Sequence, residues 1–154
     1  MIKNKGKAMK KKGRILGLDV GDKTIGIAIS DPLFMTAQGI STVYRKSMRE
    51  DIEALEDIIK KYNISLIICG FPKRVDGSIG EQAIKVKDFS SEIEAYFKIP
   101  VILWDERFST SSATRTLLEA DLSRRKRKKV INKLAAVIIL QNYLDYQFLN
   151  KQNS

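Results

Sequence analysis

The sequence has no histidine and only one cysteine, Cys69. Without histidine there is no Ser-His-Asp triad, no Cys-His pair and no imidazole general base. A lone cysteine cannot close an internal disulfide, and a structural zinc site needs several Cys or His ligands. Catalysis is therefore left to carboxylates, hydroxyls, Lys and Arg. Long apolar runs are also missing. Ala135–Leu140 is the longest clear one, far short of the roughly 20 residues of a membrane span. Near the N-terminus, Asp19 and Asp22 interrupt the apolar stretch that a secretory signal would need. These absences predict a cytoplasmic protein with no membrane partner.

Acidic residues are few, 18 against 28 Lys and Arg, for a net charge of +10. The excess lies in two blocks. Residues 1–14 hold seven basic residues and no acid, and Arg124–Lys129 are six consecutive cations, so the rest of the chain carries a net −3. Blocks of this kind bind polyanions or stay solvated. We read residues 1–12 as a disordered basic arm, 13–148 as one domain and 149–154 as a tail. The second block (Arg124, Arg125, Lys126, Arg127, Lys128, Lys129) is a candidate nucleic-acid contact.

Along the chain, Arg14–Val20 and Thr24–Ser30 read as a β-hairpin around a Gly-Asp-Lys turn. Gly39–Val43 is a third strand. Ser47 with Glu50 forms a capping box opening a helix with Ile52, Leu55, Ile59 and Tyr62 at helical spacing. Ile64–Cys69 has the continuous apolar character of a buried central strand. A glycine-rich loop follows. Ser78 with Glu81 predicts a second capping box, and its helix carries Val86, Phe89, Ile93 and Tyr96. Val101–Trp104 is a further strand. Helices are expected over 109–120 and about 128–148. The order βββαβαβαα predicts an α/β protein with a mixed sheet of about five strands flanked by helices.

In open α/β sheets, sites lie beyond the carboxyl ends of the strands. Asp19 stands near the end of the first strand, where a carboxylate is costly to bury unless a metal or a turn partners it. Asp105 and Glu106 follow the last strand. If strand pairing persists they point in different directions, so one of the two is the expected metal ligand. Carboxylates favour hard cations such as Mg²⁺ or Mn²⁺. In the last helix, Asn132 shares a stripe with Ala135, Ala136, Ile139 and Tyr143. It either satisfies a backbone group or faces a site. Lys73 and Arg74, in the glycine-rich loop, are candidate phosphate contacts. Asp31 reads as a turn residue, and Cys69 and Trp104 as core.

Three segments resemble one family: GRILGLDVGDKTIGIAISDP, GFPKRVDGSIGEQAIKV and WDERFSTSSATRTLLEADLSRRKRKKVINKLAAVIILQNYLD. They are similar to the YqgF (RuvX) family of pre-16S rRNA nucleases, over nearly the whole chain. The resemblance implies a ribonuclease H-like fold akin to Holliday junction resolvases. It also implies hydrolytic maturation of the 5′ end of the 16S rRNA precursor in ribosome biogenesis, with structured RNA as partner. By the same resemblance, Asp19, Glu106 and Asn132 occupy the catalytic positions, and Asp105, Glu106 and Arg107 form the DER motif, Glu106 being the favoured metal ligand. Asn132 departs from the family's acid, which implies reduced activity. Two alternatives stay open: a non-catalytic RNA-binding assembly factor, and a resolvase-like nuclease acting on DNA junctions. Lys73, Arg74 and Arg107 would hold the flanking phosphate.

Overall fold

The computed structural model describes the backbone of residues 13–74, 76–106 and 124–153, and the side chains of these except 124–132, 152 and 153. The basic arm, Arg107 and the helix expected over 109–120 lie outside the described residues. Strand β1 (Arg14–Val20) pairs antiparallel with β2 (Thr24–Ser30), which pairs antiparallel with β3 (Ala37–Tyr44). Gly21 N–H donates to Thr24 O at 2.8 Å and closes the hairpin turn. β3 exceeds the expected Gly39–Val43 because pairing with β2 continues at both ends, from Ala37 opposite Ser30 to Tyr44 opposite Thr24. Helix α1 (Met48–Tyr62) leads to β4 (Ile64–Phe71), helix α2 (Glu81–Phe97) to β5 (Val101–Asp105), and helix α3 spans Arg124–Asn153. The sheet order is β3-β2-β1-β4-β5, with β4 parallel to both β1 and β5.

The pleat divides the strands between two cores. On one face Leu16, Leu18, Ile25, Ile27, Ile67 and Cys69 pack against Leu55 and Ile59 of α1 and Val86, Phe89 and Ile93 of α2. On the other, Ile15, Ala28 and Ile68 meet Ala136, Ile139, Leu140, Tyr143 and Leu144 of α3. Helix α3 lies close to the sheet because glycines face it. A Cβ on Gly17 would stand 2.8 Å from Leu140 Cβ, and one on Gly39 would stand 3.3 Å from Val137 Cγ2.

Helix α1 starts as expected, with Ser47 as N-cap accepting from Glu50 N–H at 3.2 Å. The second capping box is not formed. Gly80 is the N-cap of α2 and supplies no side-chain cap. Ser78 instead donates its N–H and O–H to Asp76 Oδ1 at 2.9 and 2.7 Å. The aspartate two residues earlier captures the serine locally, as Asx turns do. Helix α3 begins at Arg124 rather than near Lys128, so the basic run forms its first turns. Lys and Arg are good helix formers, which allows the extension. Among the described residues no helix is long and apolar enough to cross a membrane.

Candidate functional site

Asp19 alternates with Ile15 and Gly17, so it belongs to the α3 face of β1. It is one residue past Leu18, which pairs with Cys69, so Gly70 of β4 stands beside it. Gly70 in turn pairs with Trp104 of β5. Trp104 packs on the α3 side, edge-on to Tyr143 and Tyr146 at ring distances of 5.5 and 5.3 Å. Glu106 follows two residues later. A Cβ on Gly70 would stand 3.2 Å from Glu106 Cδ and on top of Ile139 Cδ1. Glu106 therefore reaches over Gly70 from one side while Asp19 borders it from the other. The two strands bearing these acids are two inter-strand spacings apart, about 10 Å, and at the position between them glycine makes room for the Ile139 side chain and the Glu106 carboxyl.

Asp105 alternates with Val101 and Leu103, which pack on the α1–α2 face. Its Oδ2 is 3.9 Å from Lys73 Nζ, and its side chain is only 11% exposed. The pleat thus separates Asp105 from the Asp19–Glu106 face. Arg74 lies against Gly80, where a Cβ would approach its Nε at 2.9 Å, so its guanidinium stands at the start of α2. Gln82 Nε2 donates to Val20 O at 3.2 Å and ties the first turn of α2 to the end of β1. Among the described residues, no three Asp, Glu, Cys or His side chains gather closely enough to hold a metal ion. The backbone of Asn132 and of Arg124–Lys129 is in α3, while their side chains and Arg107 lie outside the described residues.

Sequence reasoning missed a clamp beside this site. Arg45 Nε is 2.8 Å from Asp51 Oδ2, and its Nη1 donates to Gly21 O at 2.8 Å. Its backbone N–H donates to Lys23 O at 2.8 Å, and its guanidinium lies over the Phe89 ring at 4.9 Å. The turn that follows Asp19 is thereby held from the opposite face. The available signal was Asp51 itself, an acid in line with Leu55 and Ile59 on the buried stripe of α1. Cys69 is not a nucleophile. Burial pushes its thiol up to about 12, so it stays protonated at neutral pH.

A mixed sheet in this order, with acids at the carboxyl ends of its first and last strands and a helix packed over them, defines a ribonuclease H-like fold of the resolvase type. Thermus thermophilus RuvC in complex with a Holliday junction substrate shares it with a TM-score of 0.63 at 11% identity, over 90% of this chain and 96% of that one. The yeast mitochondrial Holliday junction resolvase Ydc2 matches with a TM-score of 0.56 at 14% identity, over 92% of this chain and 81% of that one. The chain belongs to the RuvX family, whose profile, described as "Holliday junction resolvase", matches residues 13–146. Similar relatives named "Putative pre-16S rRNA nuclease" come from Clostridium novyi and Caldanaerobacter subterraneus. The first is 56% identical over 132 residues, covering 86% of this chain and 98% of that protein. The second is 56% identical over 135 residues, covering 87% of this chain and 97% of that protein.

Proposed function

We propose that this protein is a cytoplasmic nuclease that hydrolyses phosphodiester bonds in structured RNA, with the 5′ end of the 16S rRNA precursor as its substrate and Mg²⁺ or Mn²⁺ as its cofactor. The observation that carries the reading is the pair Asp19 and Glu106 on one face of the sheet, with Gly70 between them. That pair fits a hard divalent cation. Both donors are carboxylates, the oxygen ligands such an ion prefers, and the glycine between them lets the Glu106 carboxyl lie over β4. When bound, such an ion polarises a phosphoryl oxygen and makes a bound water acidic enough to supply hydroxide.

Asp19 and Glu106 would hold the cation. Asn132, at the family's third acidic position, contributes an amide oxygen without charge and leaves the site one negative charge weaker. Asp105 restrains Lys73 at the end of β5, where the ammonium meets a flanking phosphate together with Arg74 and Arg107. The cations Arg124–Lys129 track the nucleic-acid backbone, giving affinity with little sequence preference. Their place at the start of α3 supports this role, because cations there oppose the helix dipole and a polyanion offsets the conflict.

The reading is tested with purified protein, Mg²⁺ or Mn²⁺, a precursor rRNA fragment, the mature rRNA end and a four-way DNA junction. Metal-dependent shortening of the precursor alone is the expected result. Preferred cleavage of the junction would favour the resolvase reading, for which the RuvX profile and the RuvC-like fold speak. Tight RNA binding without cleavage would favour an assembly factor, for which Asn132 speaks.

A further inference from the structure

The row of residues that carries Asp19 continues beyond it, away from Glu106. Asp19 pairs with Gly26 of β2, and Gly26 pairs with Thr42 of β3. Directly opposed residues share a face, so Thr42, Gly26 and Asp19 form one line across the strands on the α3 side. Gly26 adds no side chain to that line. At its far end Ser41, Thr42 and Tyr44 of the edge strand β3 and Lys133 of α3 line an open cleft of about 250 Å³. Tyr44 is 58% exposed despite its aromatic ring, and Lys133 is exposed as well. Lys133 follows Lys129, the last of the six consecutive cations, by one helical turn.

We propose that this cleft is a strand-binding subsite that holds a nucleotide flanking the cleaved phosphate of a single-stranded nucleic acid. Tyr44 stacks on the base, Lys133 meets the phosphate, and the hydroxyl of Thr42 reaches the sugar and phosphate oxygens. Charge complementarity identifies the occupant. Among the described residues the lining carries an ammonium, hydroxyls and no carboxylate, and its helix α3 continues into the most basic segment of the chain. Exposed aromatics beside cations are the usual means of holding unpaired bases. The position follows from the sheet: Thr42 is two inter-strand spacings from Asp19, about 10 Å, so a strand crossing the β-strands passes both. The link to a cleaved phosphate rests on the nuclease reading above, whereas binding in the cleft does not.

The test is fluorescence anisotropy with a labelled single-stranded oligonucleotide, as RNA and as DNA, in EDTA so that cleavage does not enter. Tyr44→Ala is expected to weaken binding about 5- to 150-fold, the range for loss of one base-stacking ring, while Tyr44→Phe stays within about twofold of the parent. Lys133→Ala is expected to reduce the slope of log K against log[salt] by roughly 0.7. Unchanged affinity in Tyr44→Ala with an unchanged slope in Lys133→Ala would overturn the subsite. Thermal melts of the three variants, all at exposed positions, identify any loss due to unfolding. A weakened Tyr44→Ala alongside a parent that never cleaves leaves the subsite standing and removes the nuclease. Unaltered binding by Tyr44→Ala and an unchanged slope in Lys133→Ala, alongside cleavage that Asp19→Asn abolishes, do the reverse.

Discussion

Asp51 has a side chain only 2% exposed, and its partner Arg45 also bonds the turn following Asp19. Removing one member of a buried ion pair leaves the other charge without compensation. Arg45→Ala is therefore expected to cost roughly 3–5 kcal/mol, read as a lower urea midpoint with an unchanged m-value. A cost below about 1 kcal/mol, the level of a surface pair, would show that the clamp carries little. At this scale the sequence reveals acids better than it reveals their neighbours. Asp19 stands out because a carboxylate interrupts an apolar strand. The division of Asp105 from Glu106 follows from the pleat alone. Gly70 does not stand out, because its role is the space it leaves between side chains that meet only after folding. The departure at Asn132 is visible only against relatives, since an asparagine in a helix is unremarkable by itself.

Among the elements, the connection from β2 to β3 shows how a short loop can be set by one side chain. Asp31 accepts from the N–H groups of Leu33, Met35 and Thr36 at 3.1, 2.7 and 2.7 Å. Phe34 takes a left-handed φ of 59° inside the loop. The hydrogen bond from Thr36, followed by those from Met35 and Leu33, holds the Asp31 carboxyl below its ordinary range. A depressed carboxylate contributes stability above its unfolded pKa, about 3.9, and loses it as pH falls through the lower folded value. Melting temperatures of the parent should thus fall below pH 4 more steeply than those of Asp31→Ala. Parallel curves for the two proteins would show that these bonds do not distinguish the charged carboxylate. The strands were legible because continuous apolar runs mark β1, β2 and β4, and the first capping box set the start of α1. Spacing mispredicts the second, because Asp76 competes for Ser78 in a local contest. Helix α3 extends further toward the N-terminus than its apolar pattern predicts, because a run of cations reads as solvated loop unless its helix propensity is weighed.

For the whole molecule, the net charge of +10 is confined to two blocks, and one of them forms the first turns of the helix that covers the acidic pair's face. Replacing Arg124, Arg125 and Arg127 together by Ala should flatten the salt dependence of RNA binding, by roughly 0.7–0.9 in the slope of log K against log[salt] for each lost phosphate contact. An unchanged slope would make the block a spectator. The fold class was legible from element order, and the family from three long segments in order. The path of a substrate over the site was not, because it depends on the register that aligns Thr42, Gly26 and Asp19 across three strands. The central claim is that Asp19 and Glu106 form a metal-dependent phosphodiesterase site. Its most direct measurement is cleavage of a precursor rRNA fragment over a Mg²⁺ and Mn²⁺ titration, with the parent and Asp19→Asn purified and melted side by side. The account predicts metal-dependent cleavage by the parent and none by Asp19→Asn, with RNA affinity retained and the two melting curves close together. Equal cleavage by both proteins, or cleavage by the parent that persists in EDTA, would contradict it.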